Sequence, residues 1–103
     1  MSEKLVRDLI PKIPEPGGPV REFRTAGPQE MDGLLRRKVL EEAFEAASAK
    51  TRDDLVDELA DLLEAATALA SLNGITPDEV DARRQLKAET RGRFTRRVVL
   101  TNI

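Results

Sequence analysis

The sequence predicts an all-α fold, a helix hairpin plus a third helix, completed into a bundle by partner chains. Three observations predict it. Apolar residues recur at helical spacing through the middle of the chain, helix-capping signals bracket three segments, and the 103 residues include only three aromatics. Those are Phe23, Phe44 and Phe94, so the core is left to Leu, Val, Ile and Ala. A small core of light side chains is marginal alone, which favours oligomerisation, and the length has room for a single domain spanning residues 1–103.

Residues 1–29 are expected to be irregular, because Pro11, Pro14, Pro16, Gly17, Gly18 and Pro19 break regular elements. Residues 20–24 read at most as a short strand. The first helix is expected over residues 29–49, with Met31, Leu35, Val39, Ala43, Ala46 and Ala47 at helical spacing. Thr51 or Asp53 then offers an N-cap. The second helix runs to about residue 72, with Leu55, Leu59, Leu62, Leu63, Ala66 and Leu69 as its apolar stripe. Asn73 and Gly74 close it, Gly being free to take the left-handed cap conformation. Thr76-Pro77-Asp78-Glu79 reads as a capping box that opens a third helix to about residue 90, ended by Gly92. Residues 97–100 are β-prone, and the option they leave is a small ribbon with residues 20–24.

Composition narrows the chemistry. With no cysteine there is no disulfide scaffold, thiolate metal site or cysteine nucleophile. With no histidine there is no Ser-His-Asp triad, imidazole ligand or imidazole base. Carboxylates, hydroxyls, Lys, Arg and a bound ion remain. The formal net charge of −2 speaks against a nucleic-acid polymer as partner. No apolar stretch approaches a membrane span, and Met1-Ser2-Glu3-Lys4 opens into charge rather than a signal-peptide core. A soluble, cytoplasmic protein is expected.

Two acidic patterns stand out on the two long helices, Glu41-Glu42-Ala43-Phe44-Glu45 and Glu58-Leu59-Ala60-Asp61. Glu42/Glu45 and Glu58/Asp61 are i, i+3 pairs, so each pair shares a helix face. At 100° per residue, the first apolar arc centres between Leu35, Val39 and Ala43, with Glu42 at its shoulder and Glu41 toward water. The second centres near Leu59 and Ala66, with Glu58 at its edge and Asp61 beyond. An antiparallel hairpin then brings the two pairs together. Four converging carboxylates repel unless a cation neutralises them, and Mg²⁺, a hard ion that prefers oxygen, suits them. Charge patterning alone favours a solvated face, and Asp54, Asp57 and Glu64 are assigned to one.

Opposite charge gathers at the C-terminal end. From Arg83 onward there are seven basic residues and one acid, Glu89. Lys87 and Arg91 are one turn apart and can reach one anion. Offsetting a helix dipole is an equal reading for the cations nearest the helix end, Arg91 and Arg93. Lys4 and Arg7 can add to this from the N-terminus. An acidic cluster beside a basic grip, without His or Cys, points to metal-assisted phosphoryl chemistry.

The pattern Glu41-Glu42-x-x-Glu45, twelve residues, then Glu58-x-x-Asp61 resembles the signature of the all-α nucleoside triphosphate pyrophosphohydrolases. That group includes MazG, the dimeric dUTPases and phosphoribosyl-ATP pyrophosphohydrolase. Lys4-Leu5-Val6-Arg7-Asp8-Leu9-Ile10-Pro11 and Lys87-x-x-x-Arg91-Gly92-x-Phe94 are similar to the terminal segments of its MazG-like, phosphoribosyl-ATP-pyrophosphohydrolase-like subgroup. The resemblance implies a helical bundle of the MazG type, working as a homo-oligomer (dimer or tetramer). It implies Mg²⁺-dependent hydrolysis of a nucleoside triphosphate to monophosphate and pyrophosphate, with Mn²⁺ as a possible substitute. Glu42, Glu45, Glu58 and Asp61 would hold the metal and carry catalysis, while Lys87, Arg91, Lys4 and Arg7 would bind the nucleotide. Some relatives carry a basic residue where this chain has Asp54, and no aromatic in the helices is set apart to stack a base. Two other readings are a phosphoribosyl-ATP pyrophosphohydrolase of histidine biosynthesis and a non-enzymatic helical dimerisation module.

Overall fold

The structure is a computed structural model that describes residues 3–102. Met1, Ser2 and Ile103 lie outside them, and with them the first two residues of the N-terminus read above as leaderless. Among the described residues three helices are present, α1 (Met31–Ser48), α2 (Arg52–Leu72) and α3 (Pro77–Arg91), preceded by 3₁₀ turns at Ile10–Lys12 and Pro28–Glu30. None of the helices among the described residues is long and apolar enough to cross a membrane.

Local chemistry sets the helix ends. The Pro28–Glu30 turn leads into α1, and the Gly27 backbone N–H donates to the Glu30 carboxylate at 2.7 Å. Thr51 caps α2 by accepting from the Asp54 N–H at 3.1 Å. At the other end, Gly74 takes φ +71°, and the Ile75 and Gly74 N–H groups return to the carbonyls of Ala70 and Ser71. These two bonds form a Schellman closure, which satisfies carbonyls the helix leaves free. Thr76 caps α3 through the Glu79 N–H at 3.2 Å with Pro77 in the first turn, so the expected capping box is present in its forward half.

α1 and α2 form an antiparallel hairpin, and most of the packing between helices is theirs. The Asn73 amide ties the hairpin's open end, donating to Asp32 of α1 at 3.1 Å and to the Leu69 carbonyl at 2.9 Å. The helices are turned differently from the sequence expectation. The seam contains Leu35, Val39, Glu42 and Ala46 of α1, Ala49 just past its end, and Glu58, Asp61, Leu62, Ala65, Ala68 and Leu69 of α2. At 100° per residue, its centre on α2 lies about 100° from the Leu59–Ala66 arc. The expected stripe residues Leu55, Leu59 and Leu63 are exposed, as are Leu40 and Phe44 on the outer side of α1.

Among the described apolar residues only Leu35 and Ala65 are buried. α3 has no buried residue and stands off the hairpin. The accessible surface is 9437 Å², against about 5,800 Å² for a compact monomer of this mass. The radius of gyration is 17.4 Å, against about 13 Å for a compact domain of this length.

The expected β ribbon is absent. Among the described residues no strand forms at either terminus. Arg97 takes φ 60°, which interrupts extended backbone at the start of its segment, and Val20, Val98 and Val99 are all exposed. A two-stranded ribbon with no apolar face to cover is marginal in water.

The N-terminal segment runs along the hairpin instead. Arg24 joins Glu3 and Glu30 through two bonds to each carboxylate, at 2.7–3.0 Å. Arg24 and the Gly27 N–H hold the Glu30 carboxyl down at about 2, below its ordinary 4.5. A carboxyl lowered on folding stabilises fully above its ordinary value and loses that contribution as pH falls toward the folded one. The tether is therefore expected to loosen between pH 4.5 and about 2. The Gly27 amide resonance, followed by NMR, should titrate in that window in the native chain and at a higher pH in Arg24→Leu.

Candidate metal centre

The hairpin seam brings together three of the four expected carboxylates. Glu42, Glu58 and Asp61 each present an oxygen within 4.8 Å of the others. Glu42 is 7% exposed, and it alone among the described charged residues is buried. Alanines at 46, 49, 65 and 68 line the same seam. Small side chains let helix axes approach closely, so the carboxylates meet across the gap.

Glu45 does not join this trio. It follows Glu42 by three residues, which turns it about 60° around α1 and out of the seam, and it is exposed. Its charge still acts there. Partial burial pushes the Glu58 carboxyl above its ordinary value, and the nearby charges of Glu45, Glu42, Asp61 and Asp54 push it further. Asp54, Asp57 and Glu64 are exposed, as a solvated face requires.

Two cations meet the cluster. Lys38, one turn before Glu42 on α1, lies 3.2 Å from Glu42 and 3.4 Å from Glu41. Arg7 arrives from the N-terminal segment, and its Nη2 donates to Asp61 Oδ1 at 2.7 Å. Lys4, nearby in sequence, sits 3.6 Å from Glu41. Glu41 is therefore half-buried and paired rather than turned to water. Lys38 is the residue the sequence reading missed. The signal for it was present in the i, i+3 and i, i+4 spacing to Glu41 and Glu42.

Lys87 and Arg91 are four residues apart and exposed on α3. Because α3 stands off the hairpin, the chain does not bring them to its own acidic cluster. Phe44, against expectation, is an exposed helical aromatic, 71% accessible, half a turn around α1 from Leu35 and so away from the seam.

The donor set is all oxygen and partly shielded from water. That is the environment hard divalent cations select, and one that thiolate- or imidazole-seeking metals do not.

A family model described as phosphoribosyl-ATP pyrophosphohydrolase matches residues 6–87. The match includes Arg7, Lys38, all four acids and Lys87, and stops short of Lys4 and Arg91. No curated protein and no solved structure matches the chain.

A divalent ion that binds only the folded chain stabilises it by mass action. At about one hundred times the dissociation constant, the melting temperature should rise by roughly 10 °C or more. Differential scanning fluorimetry with Mg²⁺ and Mn²⁺ measures this. Glu58→Gln and Asp61→Asn should lose the rise, and Asp57→Asn should keep it.

Proposed function

This chain belongs to the phosphoribosyl-ATP pyrophosphohydrolase family of the MazG-like nucleotide pyrophosphohydrolases, and from that membership we propose a Mg²⁺-dependent enzyme that hydrolyses a nucleoside triphosphate to monophosphate and pyrophosphate. The observation that carries the proposal is the Glu42–Glu58–Asp61 trio, built from two helices inside the matched region. In this reading the three carboxylates hold the ion and Glu45 lies at the rim. When bound, the ion supplies charge neutralisation for the phosphate chain and acidifies a water. One of the four acids also orients that water and takes its proton. Lys38 fixes Glu42 against the repulsion of its neighbours.

Lys87 and Arg91 bind the phosphate chain in this proposal, with Lys4 and Arg7 adding positive charge at the hairpin. The stand-off of α3 gives the grip a second requirement, since it must come from another copy of the chain. The exposed stripes Leu40–Phe44 and Leu55–Leu59–Leu63 support a homo-oligomer. So does the excess surface, which is of the order obligate interfaces bury, about 2,000–5,000 Å². A dimer or tetramer of residues 1–103, working in the cytoplasm on a small nucleotide, completes the reading.

The description of the matching family favours a second substrate, phosphoribosyl-ATP of histidine biosynthesis. Both substrates are split at the same kind of phosphoanhydride bond, so the acidic cluster serves either. Pyrophosphate release from a panel of nucleoside triphosphates and from phosphoribosyl-ATP, with Mg²⁺ varied, separates them. Complementation of a histidine auxotroph is the independent check. Release from neither substrate class would sink the enzymatic reading and leave a helical dimerisation module. On the preferred substrate, Glu58→Gln should lower the rate by roughly 100-fold or more.

Composite sites predict intersubunit rescue. Glu58→Gln and Lys87→Ala should each be inactive alone. Unfolded and refolded together, they should recover about a quarter of wild-type activity, because half the dimers are mixed and each then holds one intact site. No recovery on mixing would place Lys87 outside the neighbour's site.

A further inference from the structure

Arg7 differs from Lys38, the other cation paired with a member of the acidic trio. Lys38 stands on α1 itself, four residues from Glu42, and moves with it. Arg7 comes from a segment without regular structure, 54 residues away from Asp61 in sequence, and its side chain is 56% exposed. An exposed ion pair of this kind is weak enough to exchange.

The contact sets up a competition. Glu42, Glu58 and Asp61, with Glu41, Glu45 and Glu64 around them, outnumber Lys38, Lys4 and Arg7, so a divalent cation is drawn to the cluster. Arg7 already occupies an oxygen of Asp61, one of the carboxylates that would hold that cation. The two cations would also share the Asp61 carboxylate, where Arg7 already donates to Oδ1 at 2.7 Å, and like charges on one carboxylate repel. Asp61 is not the sole anchor, since the charges of Glu64 and Glu42 also favour the Arg7 guanidinium in its place.

We propose that Arg7 is a built-in counter-ion that alternates with the divalent cation at Asp61, so that binding of the ion releases the N-terminal segment and frees the guanidinium for an anionic group of the substrate. The inference rests on the metal-site reading above and adds an order of events to it. By linkage, whatever factor Arg7 takes from ion affinity, the ion takes from the hold on the segment.

The test is calorimetric titration of Mn²⁺ into chelator-treated protein, comparing the native chain with Arg7→Gln. Arg36→Gln is the control for net charge, because Arg36 is exposed and pairs with Asp32 at the Asn73 end of the hairpin. Arg7→Gln should bind Mn²⁺ about fivefold tighter or more, and Arg36→Gln should stay within about twofold, as screened distant charges do. In the native chain, hydrogen exchange at residues 4–12 should quicken when Mn²⁺ is added. Equal or weaker binding by Arg7→Gln, or unchanged exchange in residues 4–12, overturns the alternation while leaving the metal site standing. No Mn²⁺ binding by the native chain overturns both.

Discussion

Glu42, Glu58 and Asp61 place three like charges in the seam between two helices, where a hairpin ordinarily packs leucine against leucine. Such a grouping is stable only if positive charge reaches it, and the chain supplies it from two directions. Lys38 approaches along α1 and Arg7 crosses from the N-terminal segment. The largely irregular residues 3–30 thereby gain a structural purpose, since Arg24 anchors them to the start of α1 and Lys4 and Arg7 lay them over the acidic side of the hairpin.

Committing the seam to carboxylates has a consequence on the opposite side. The leucines that would have filled it face outward, along with Phe44, and α3 finds no partner on its own hairpin. A single copy therefore buries little apolar surface, and burial of apolar area is the main favourable contribution to folding. In the proposed homo-oligomer, assembly and site formation become one problem, because the surface that needs covering and the cations that need an anion belong to the same chain.

Elements governed by short-range chemistry were legible in the residues. Thr51 and Thr76 accept from the amides three positions on, and Gly74 takes the left-handed conformation that closes α2. Each depends on atoms within one helical turn. The ribbon between residues 20–24 and 97–100 was misread because β-propensity reports fit to a sheet, and no sheet face exists for those valines. The helix rotation was misread for a related cause. Periodicity reveals which sides of a helix are apolar but not which neighbour covers each side, and here the strongest stripe is not the one that α1 and α2 share.

The four acids show the same boundary. Their i, i+3 spacing on two adjoining helices, and the family membership that goes with it, could be read from sequence, because spacing along a helix is set by 3.6 residues per turn. That Glu42, Glu58 and Asp61 converge while Glu45 turns away depends on how α1 and α2 are rotated about their axes. The same is true of Arg7 meeting Asp61 across 54 residues and of α3 standing apart. Those outcomes were decided by tertiary structure alone, because they follow from close packing of alanines and long-range charge pairing, neither of which any local window of sequence contains.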